Sequence, residues 1–304
     1  MITVRPMEPN EEMDVARLIH HSTNHWYEAH HHPPIFPGDP KDCLIFPKTY
    51  EALDPGHCFV AIDGDSHKIV GSCFHHPRPT HHSLGIMNAD PDSKGVAKAL
   101  LRHLIGLART DGKSLRLISS AGNLDSFSLY NRHGFVPYAV YQDMTIDIPP
   151  HGLPLPSSSP ATRDACLDDL SAITRLEENL VEISREKDWR HFIENQNGTW
   201  QTTVSVSPDH KVTGAIASID HPGTRMIGPA IARDVPTLLG LLITQLNLYP
   251  GKAPLFLAPS EYPEFTKALY KLGARNHEVH LAQSLGPAPK RKGPALPTFL
   301  PETA

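Results

Sequence analysis

The stretch Ala89–Leu101, ADPDSKGVAKALL, sets a Gly and an Ala two apart, after an acidic turn and directly before an apolar run. A tight turn that opens a helix after a strand points several unpaired backbone N–H groups at one spot, where the helix dipole adds positive potential. An anion then binds without side-chain ligands, provided the closest residues are small, as Gly95 and Ala97 are. Lys94, Lys98 and Arg102 stand nearby to add charge. The alternative is a helix that merely begins with small residues. Short Gly motifs are weak, so the loop alone does not separate the two readings.

The surrounding pattern supplies context. Before the loop, SLGIMNA reads as a strand, entered from a hairpin across HHPRPTHH. HCFVAIDGDSHKIVGSCF reads as another hairpin around an Asp-Gly turn. After Pro91 the apolar spacing changes from two to about 3.6. Ala97, Leu100, Leu101, Leu104 and Ala108 then share one face, which predicts a helix to about Thr110 closed by Asp111-Gly112. SLRLISS follows as a strand, LDSFSLYNRH as a short helix stopped by Gly134, and FVPYAVYQDMTI as a long strand. Upstream, ITVRP is a strand and NEEMDVARLIHHS a helix, with a Pro- and His-rich stretch from Trp26 to about Pro55.

The order then recurs. PPHGLPLPSSSPAT (Pro149 to Thr162) is a linker by composition. Beyond it RDACLDDLSAITRLEENL reads as a helix and QTTVSVSPDHKVTGAIASI as a hairpin. KIVGS at Lys68 is echoed by KVTGA at Lys211, and LYNRHGF at Leu129 by LYKLGA at Leu269, which suggests a duplicated domain. The expected organisation is a first domain over 1–148, a linker over 149–162, a second domain over 163–283 and a Pro-rich tail over 284–304. The tail reads as an arm or disordered segment.

Composition bounds the function. A chain of 304 residues accommodates two domains, each with its own core. The net charge of -5 argues against a wholly basic nucleic-acid binder. Four cysteines stand far apart with no CxxC pair, which fits free thiols in a reducing compartment. The N-terminus shows no basic-then-apolar targeting pattern, and the most apolar stretch, Leu238 to Leu248, is too short to span a bilayer. A cytoplasmic protein without nucleic-acid or membrane partners is expected; its oligomeric state is left open. Of the 20 histidines several are adjacent, but neighbours in a Pro-rich loop cannot all face one ion, so no metal site is expected.

Strand, Gly-x-Ala helix, strand and then NLDSFSLYNRHGF, with Asn123, Ser126, Tyr130 and Gly134-Phe135, resembles the GNAT superfamily of N-acetyltransferases. The resemblance covers Met1 to Ile148 in element order, and its specific part Leu84 to Phe135. It implies an α/β (α+β) fold with a mixed, mostly antiparallel sheet flanked by helices, duplicated in tandem. It also implies acetyl-CoA as co-substrate and a small-molecule amine as acceptor. Met87, Asn88 and Ala89 would offer backbone groups to the pantetheine and the thioester. Asp92, Ser93, Lys94, Gly95, Val96, Ala97 and Lys98 would grip the pyrophosphate, although Asp92 stands where the family has Gln or Arg. Asn123 and Ser126 would line the cofactor arm, and Tyr130 would stand near the sulfur.

Acetyl transfer needs a neutral amine, stabilisation of an oxyanion and a proton for the departing thiolate. Tyr130 is the candidate general acid; the plain alternative is a core tyrosine. The family often places a basic Glu on the strand before the loop, and here that strand has none. Counting back from Gly95, His81 lies nearest that position and is the candidate base, against the alternative of an exposed turn histidine. Trp26, Tyr27 and His30–His32 fall where the acceptor side is expected. In the second domain GPAIARDVPTLLGLL has no Gly-x-Gly/Ala, with Asp234 and Pro236 in the turn, so that copy is expected to be degenerate. The rival reading is a non-catalytic acyl-CoA-binding or regulatory tandem protein.

Overall fold

The structure is a computed structural model that describes residues 1–157 and 159–302; Ser158 of the linker and Thr303 and Ala304 of the tail lie outside the described residues. In the first half β1 (Ile2–Pro6), β2 (Cys58–Asp63), β3 (Ile69–Pro77) and β4 (His82–Ala89) pair antiparallel in sequence order. Helices α1 (Glu12–Ala29) and α2 (Ile45–Leu53) fill the connection between β1 and β2. The Pro- and His-rich stretch therefore carries more helix than composition suggests: Phe46, Tyr50 and Leu53 bury one face of α2, a short helix easily hidden among turn residues. Then come α3 (Val96–Thr110), β5 (Leu115–Ser120), α4 (Leu124–Arg132) and β6 (Val136–Thr145).

The second half repeats the plan with β7 (Ala161–Asp164), α5 (Leu170–Val181), α6 (Glu186–Glu194), β8 (Trp200–Val206), β9 (Val212–His221) and β10 (Thr224–Ala232). It continues through α7 (Val235–Leu246), β11 (Leu255–Pro259), α8 (Pro263–Lys271) and β12 (Arg275–Leu285). A short strand β13 (Ala295–Leu296) lies in the tail.

Among the described residues all strands belong to one sheet, ordered β1-β2-β3-β4-β5-β12-β6-β11-β10-β9-β8-β7, with β13 beside β10. The order reads the same from either end once β1–β5 are matched with β7–β11, and β6 with β12. Each half has exchanged its last strand. β12 lies between β5 and β6, and β6 lies between β12 and β11. The sequence boundary near Ile148 therefore divides the chain between β6 and β7 but does not divide the sheet into two.

Cores follow the same division. Val96, Leu100, Leu101, Leu104 and Ala108 pack α3 on the first half, and Leu238, Leu241, Leu242 and Leu246 pack α7 on the second. On the opposite face one continuous cluster joins Val15, Ile19, Tyr50 and Phe74 to Trp189, Trp200 and Ile219. Buried charge also ties the halves. Arg78 donates to Asp188 at 2.6 and 2.9 Å and to Asp54 at 2.9 Å. No helix among the described residues is long and apolar enough to cross a membrane.

Candidate active site

Two interruptions in the ladder open the site. Strands β4 and β5 run parallel but pair only at His82–Leu115 and Ser83–Arg116. On the other side of β4, Leu84 pairs with His75 and Met87 with Cys73, so Gly85 and Ile86 oppose the single residue Phe74. Such a bulge bends a strand and raises its twist, which turns β4 away from β5. The result is a cleft of about 380 Å³ into which β4 presents main-chain groups with no strand beside them.

Most of the expected cofactor residues converge there. Met87, Asn88, Ala89, Ala97, Asn123, Ser126 and Tyr130 line the cleft. Gly95 is the N-cap of α3 at φ +81°, a left-handed conformation suited to glycine, and no side chain caps the helix. A Cβ at Gly95 would meet no atom within 4 Å. The helix start thus offers bare amides to open space, which is what a pyrophosphate requires. Asp92, Lys94 and Lys98 are exposed around it and Ser93 is half-buried. Asp92 shapes the turn, its N–H donating to the Asp90 carboxylate at 3.0 Å. The Val96 side chain is in the core, so only its backbone faces the loop.

Some of these side chains have structural duties. The Asn88 amide donates to Ser22 and Thr23 of α1 at 2.9 and 3.0 Å, which fixes α1 over the cleft. Asn123 caps α4 by accepting from Ser126 N–H at 2.9 Å, leaving its amide NH₂ for a ligand. Tyr130 is buried at the wall of the cleft, and burial pushes its phenol above the ordinary tyrosine range. It stays protonated at neutral pH, as a proton donor must.

The expectation for His81 does not survive. Its ring is fully buried before the start of β4, outside the cleft, and its Nδ1 lies 3.0 Å from Thr80 Oγ1. Burial first, then the charges of Arg116, Arg78 and Arg185, hold it well below the ordinary histidine range. Counting back along the strand missed that β4 still pairs with β5 at its first two residues, so the opening begins only after Ser83. Trp26 and Tyr27 do line the cleft, whereas His30, His31 and His32 are exposed at and beyond the end of α1.

Residues of the second half complete the wall of the cleft. Tyr27 donates to Glu278 at 2.9 Å, and Ser120 donates to the other Glu278 oxygen. His280, the register partner of Ser120, lines the cleft and holds Asp143 at 2.7 Å through Nδ1. Burial raises the Asp143 carboxyl despite that bond. Asp143, Glu278 and His280 present ligand-type atoms within 4.8 Å of one another, with Glu278 accepting from Tyr27 and Ser120 and His280 bonded to Asp143. Phe299 and Glu302 of the tail close the wall. Reading each repeat alone hid Glu278 and His280, which strand exchange brings beside β5, and Phe299 and Glu302, which the tail carries there. The apolar run ALPTFL was the one signal that the tail is not loose.

The second half differs at the equivalent place, although a pocket of about 510 Å³ lined by Asp234, Val235, Pro236 and Tyr262 lies at the start of α7. There β10 pairs with β11 only at Met226–Leu255 and Ile227–Phe256, and Gly228-Pro229 bulge opposite Ala217. However, Asp234 caps α7 with its own carboxylate, accepting from Thr237 N–H at 2.9 Å, and Pro236 follows. A negative group already sits where an anion would bind. Strand β13 lies along β10 at Ala230 and Ile231, the counterparts of Met87 and Asn88. Tyr270, the counterpart of Tyr130, is half-exposed and donates to Gln142.

A split, bulged β4–β5 pair lies under a glycine-started helix in the first half, and a split, bulged β10–β11 pair lies under an Asp-capped helix in the second. Residues 20–135 match the acetyltransferase (GNAT) family. Whole-chain likeness extends the fold to the second half. A protein of Pyrococcus horikoshii assigned as an acetyltransferase superposes with a TM-score of 0.76 at 13% identity, covering 98% of this chain and 95% of its own. A GCN5-related N-acetyltransferase of Sphaerobacter thermophilus gives 0.62 at 16% identity, with 93% and 95% covered. A tandem GNAT protein from the clavulanic acid biosynthesis pathway gives 0.62 at 14% identity, with 95% and 100% covered. No curated protein matches this sequence.

Proposed function

We propose that the protein is an acetyl-CoA-dependent N-acetyltransferase that acts on a small-molecule amine in the first cleft alone. The observation that carries this reading is the contrast between the two helix starts: Gly95 opens α3 with bare amides and free space, while Asp234 blocks α7. The Gly95–Lys98 amides would hold the pyrophosphate, and the free edge of β4 at Met87–Ala89 would hold the pantetheine. The thioester supplies an activated acetyl carbon. Main-chain N–H groups of β4 stabilise the developing oxyanion, an effect whose loss costs about 3 kcal/mol in comparable sites. Tyr130 gives its proton to the departing sulfur. Trp26, Tyr27 and Glu278 then shape the acceptor side, and a compact cleft of about 380 Å³ favours a small amine over a folded protein.

Calorimetric titration with acetyl-CoA, followed by thiol release against a panel of amines, tests the reading. One acetyl-CoA per chain is expected. Turnover of at least one amine is also expected, falling about 10²-fold or more in Tyr130→Phe. Binding without turnover of any amine would favour a sensing role instead.

A further inference from the structure

Composition argues for a loose tail after Leu285, yet residues 293–298 and 300–302 run buried across both halves. Strand β13 occupies the edge of β10 in the second half. The chain then crosses to the first cleft. Tyr50 of α2 donates to the Phe299 carbonyl at 2.7 Å, and the Phe299 ring packs on His280 at 5.1 Å between centroids. A backbone bridge between Phe299 and Glu302 folds the end back, so that the Glu302 side chain lines the same cleft as Tyr130. Glu302 is only 6% exposed.

We propose that Glu302 is the group that receives the proton of the acceptor amine, delivered to the first cleft by a tail that the second cleft seats. This rests on the N-acetyltransferase reading of that cleft. Strand β4, HSLGIMNA, carries no acidic side chain of its own. The other carboxylates there are engaged or outlying: Glu278 accepts from Tyr27 and Ser120, Asp143 is held by His280, and Asp125 is exposed on the first turn of α4. No salt bridge among the described residues compensates Glu302, and burial alone raises its carboxyl well above the ordinary range. A buried acid without a counter-charge is costly unless a ligand completes it, and an amine is the ligand that does so. The raised proton affinity also brings a carboxyl toward the range where a base works near neutral pH.

The step balances without a further reactant. The neutral amine's lone pair attacks the acetyl carbon; the C–N bond forms and the C–S bond breaks. The proton shed by nitrogen goes to the Glu302 carboxylate, while Tyr130 protonates the thiolate. Glu302 then returns its proton through the cleft to Tyr130, whose phenol senses the Glu302 charge. The titratable groups facing Glu302 are Tyr130 from α4, Tyr50 from α2 and His280 from β12, the last paired with Asp143 of β6.

The test compares the full-length parent with Glu302→Gln and Glu302→Ala, using an amine the parent acetylates. Glu302→Gln is expected to lower kcat/KM by about 10²–10⁴ and to remove the acidic limb of its pH profile. The dissociation constant for acetyl-CoA should stay within about twofold. Added formate should restore part of the Glu302→Ala rate, a rescue that a purely structural role would not show. Unchanged kcat/KM in Glu302→Gln, no formate rescue, or a parallel loss of acetyl-CoA affinity would each overturn the assignment. A parent that binds acetyl-CoA yet acetylates no amine would instead remove the transferase reading, and this is decided before any variant is made.

Discussion

The carbonyl oxygen of Pro297 lies against the bare Cα of Gly228, in the space a Cβ there would need. Gly228 sits on the β10 bulge at φ +141°, and its counterpart in the first half is Gly85 on the β4 bulge. At one bulge the groove is left open; at the other the chain's own tail lies in it. Loss of the Gly95-type helix start in the second half thus coincides with a new use for its groove, which is to hold a strand.

A methyl group at Gly228 should therefore unseat the tail without touching the first cleft. Gly228→Ala adds a clash with backbone and a positive-φ cost of about 1–2 kcal/mol. The variant is expected to become protease-sensitive between Pro294 and Pro301 and to lose kcat/KM toward the level of Glu302→Gln, with acetyl-CoA affinity retained. Limited proteolysis with mass spectrometry, run beside the kinetics, checks both halves of the expectation.

At Gly95 the expected outcome is the reverse. Its Cβ would meet nothing in the protein, so Gly95→Val pays the left-handed backbone cost of about 1–2 kcal/mol and little else. Its branched side chain would stand where the pyrophosphate approaches. Acetyl-CoA binding should fall below detection by calorimetry, while the melting temperature drops by only a few degrees. Unaltered affinity would remove the amide cradle from the mechanism.

Local chemistry was legible in the sequence; partnership between strands was not. Gly95 and Ala97 advertise a side-chain-free helix start through residue size alone, whereas Tyr130 is singled out by the family resemblance of NLDSFSLYNRHGF and not by its helix pattern. The repeats KIVGS and KVTGA mark equivalent hairpin strands, each following a turn with a histidine at positive φ and each buried along nearly its whole length. By contrast, β6 and β12 carry patterns compatible with either neighbour, and nothing within β12 says that it sits beside β5 of the other half. The burial of His81 outside the cleft was hidden for the same reason. Distance along β4 pointed to His81, while of the two acids that line the cleft Asp125 follows β5 and Glu302 comes from far along the chain.

The buried charges between the halves make a prediction about acid. Arg78 bridges Asp54 and Asp188, all but excluded from solvent, and Lys187 adds to Asp54. Removing one carboxylate leaves a buried guanidinium short of a partner, so Asp188→Ala should cost about 3–5 kcal/mol. Burial would raise the Asp54 carboxyl, but His76, Arg78 and Lys187 outweigh it and hold it below the ordinary range. Its contribution is thus complete above the unfolded carboxylate value of about 4 and is lost as pH falls toward the lower folded value. Denaturant midpoints should be level near neutrality and fall below about pH 4. The Asp188→Ala variant should start lower across the whole range.

Strand exchange sets the strongest constraint on how the chain can be divided. Cut after Ile148, the first half keeps β5 and β6 but loses β12, which pairs with both. Two long edges of unpaired N–H and C=O groups would then flank a gap in the middle of the sheet, an arrangement that invites aggregation. The same cut removes Trp189, Trp200 and Ile219 from the face shared with Tyr50 and Phe74, and it strands Arg78 without Asp188. Residues 1–148 expressed alone should be insoluble or oligomeric by size-exclusion chromatography, although they contain every residue of the expected cofactor loop. Co-expression with 149–304 should return a soluble 1:1 complex that binds one acetyl-CoA. A monomeric, acetyl-CoA-binding 1–148 fragment would show that the halves fold independently and that β12 is dispensable to the first cleft.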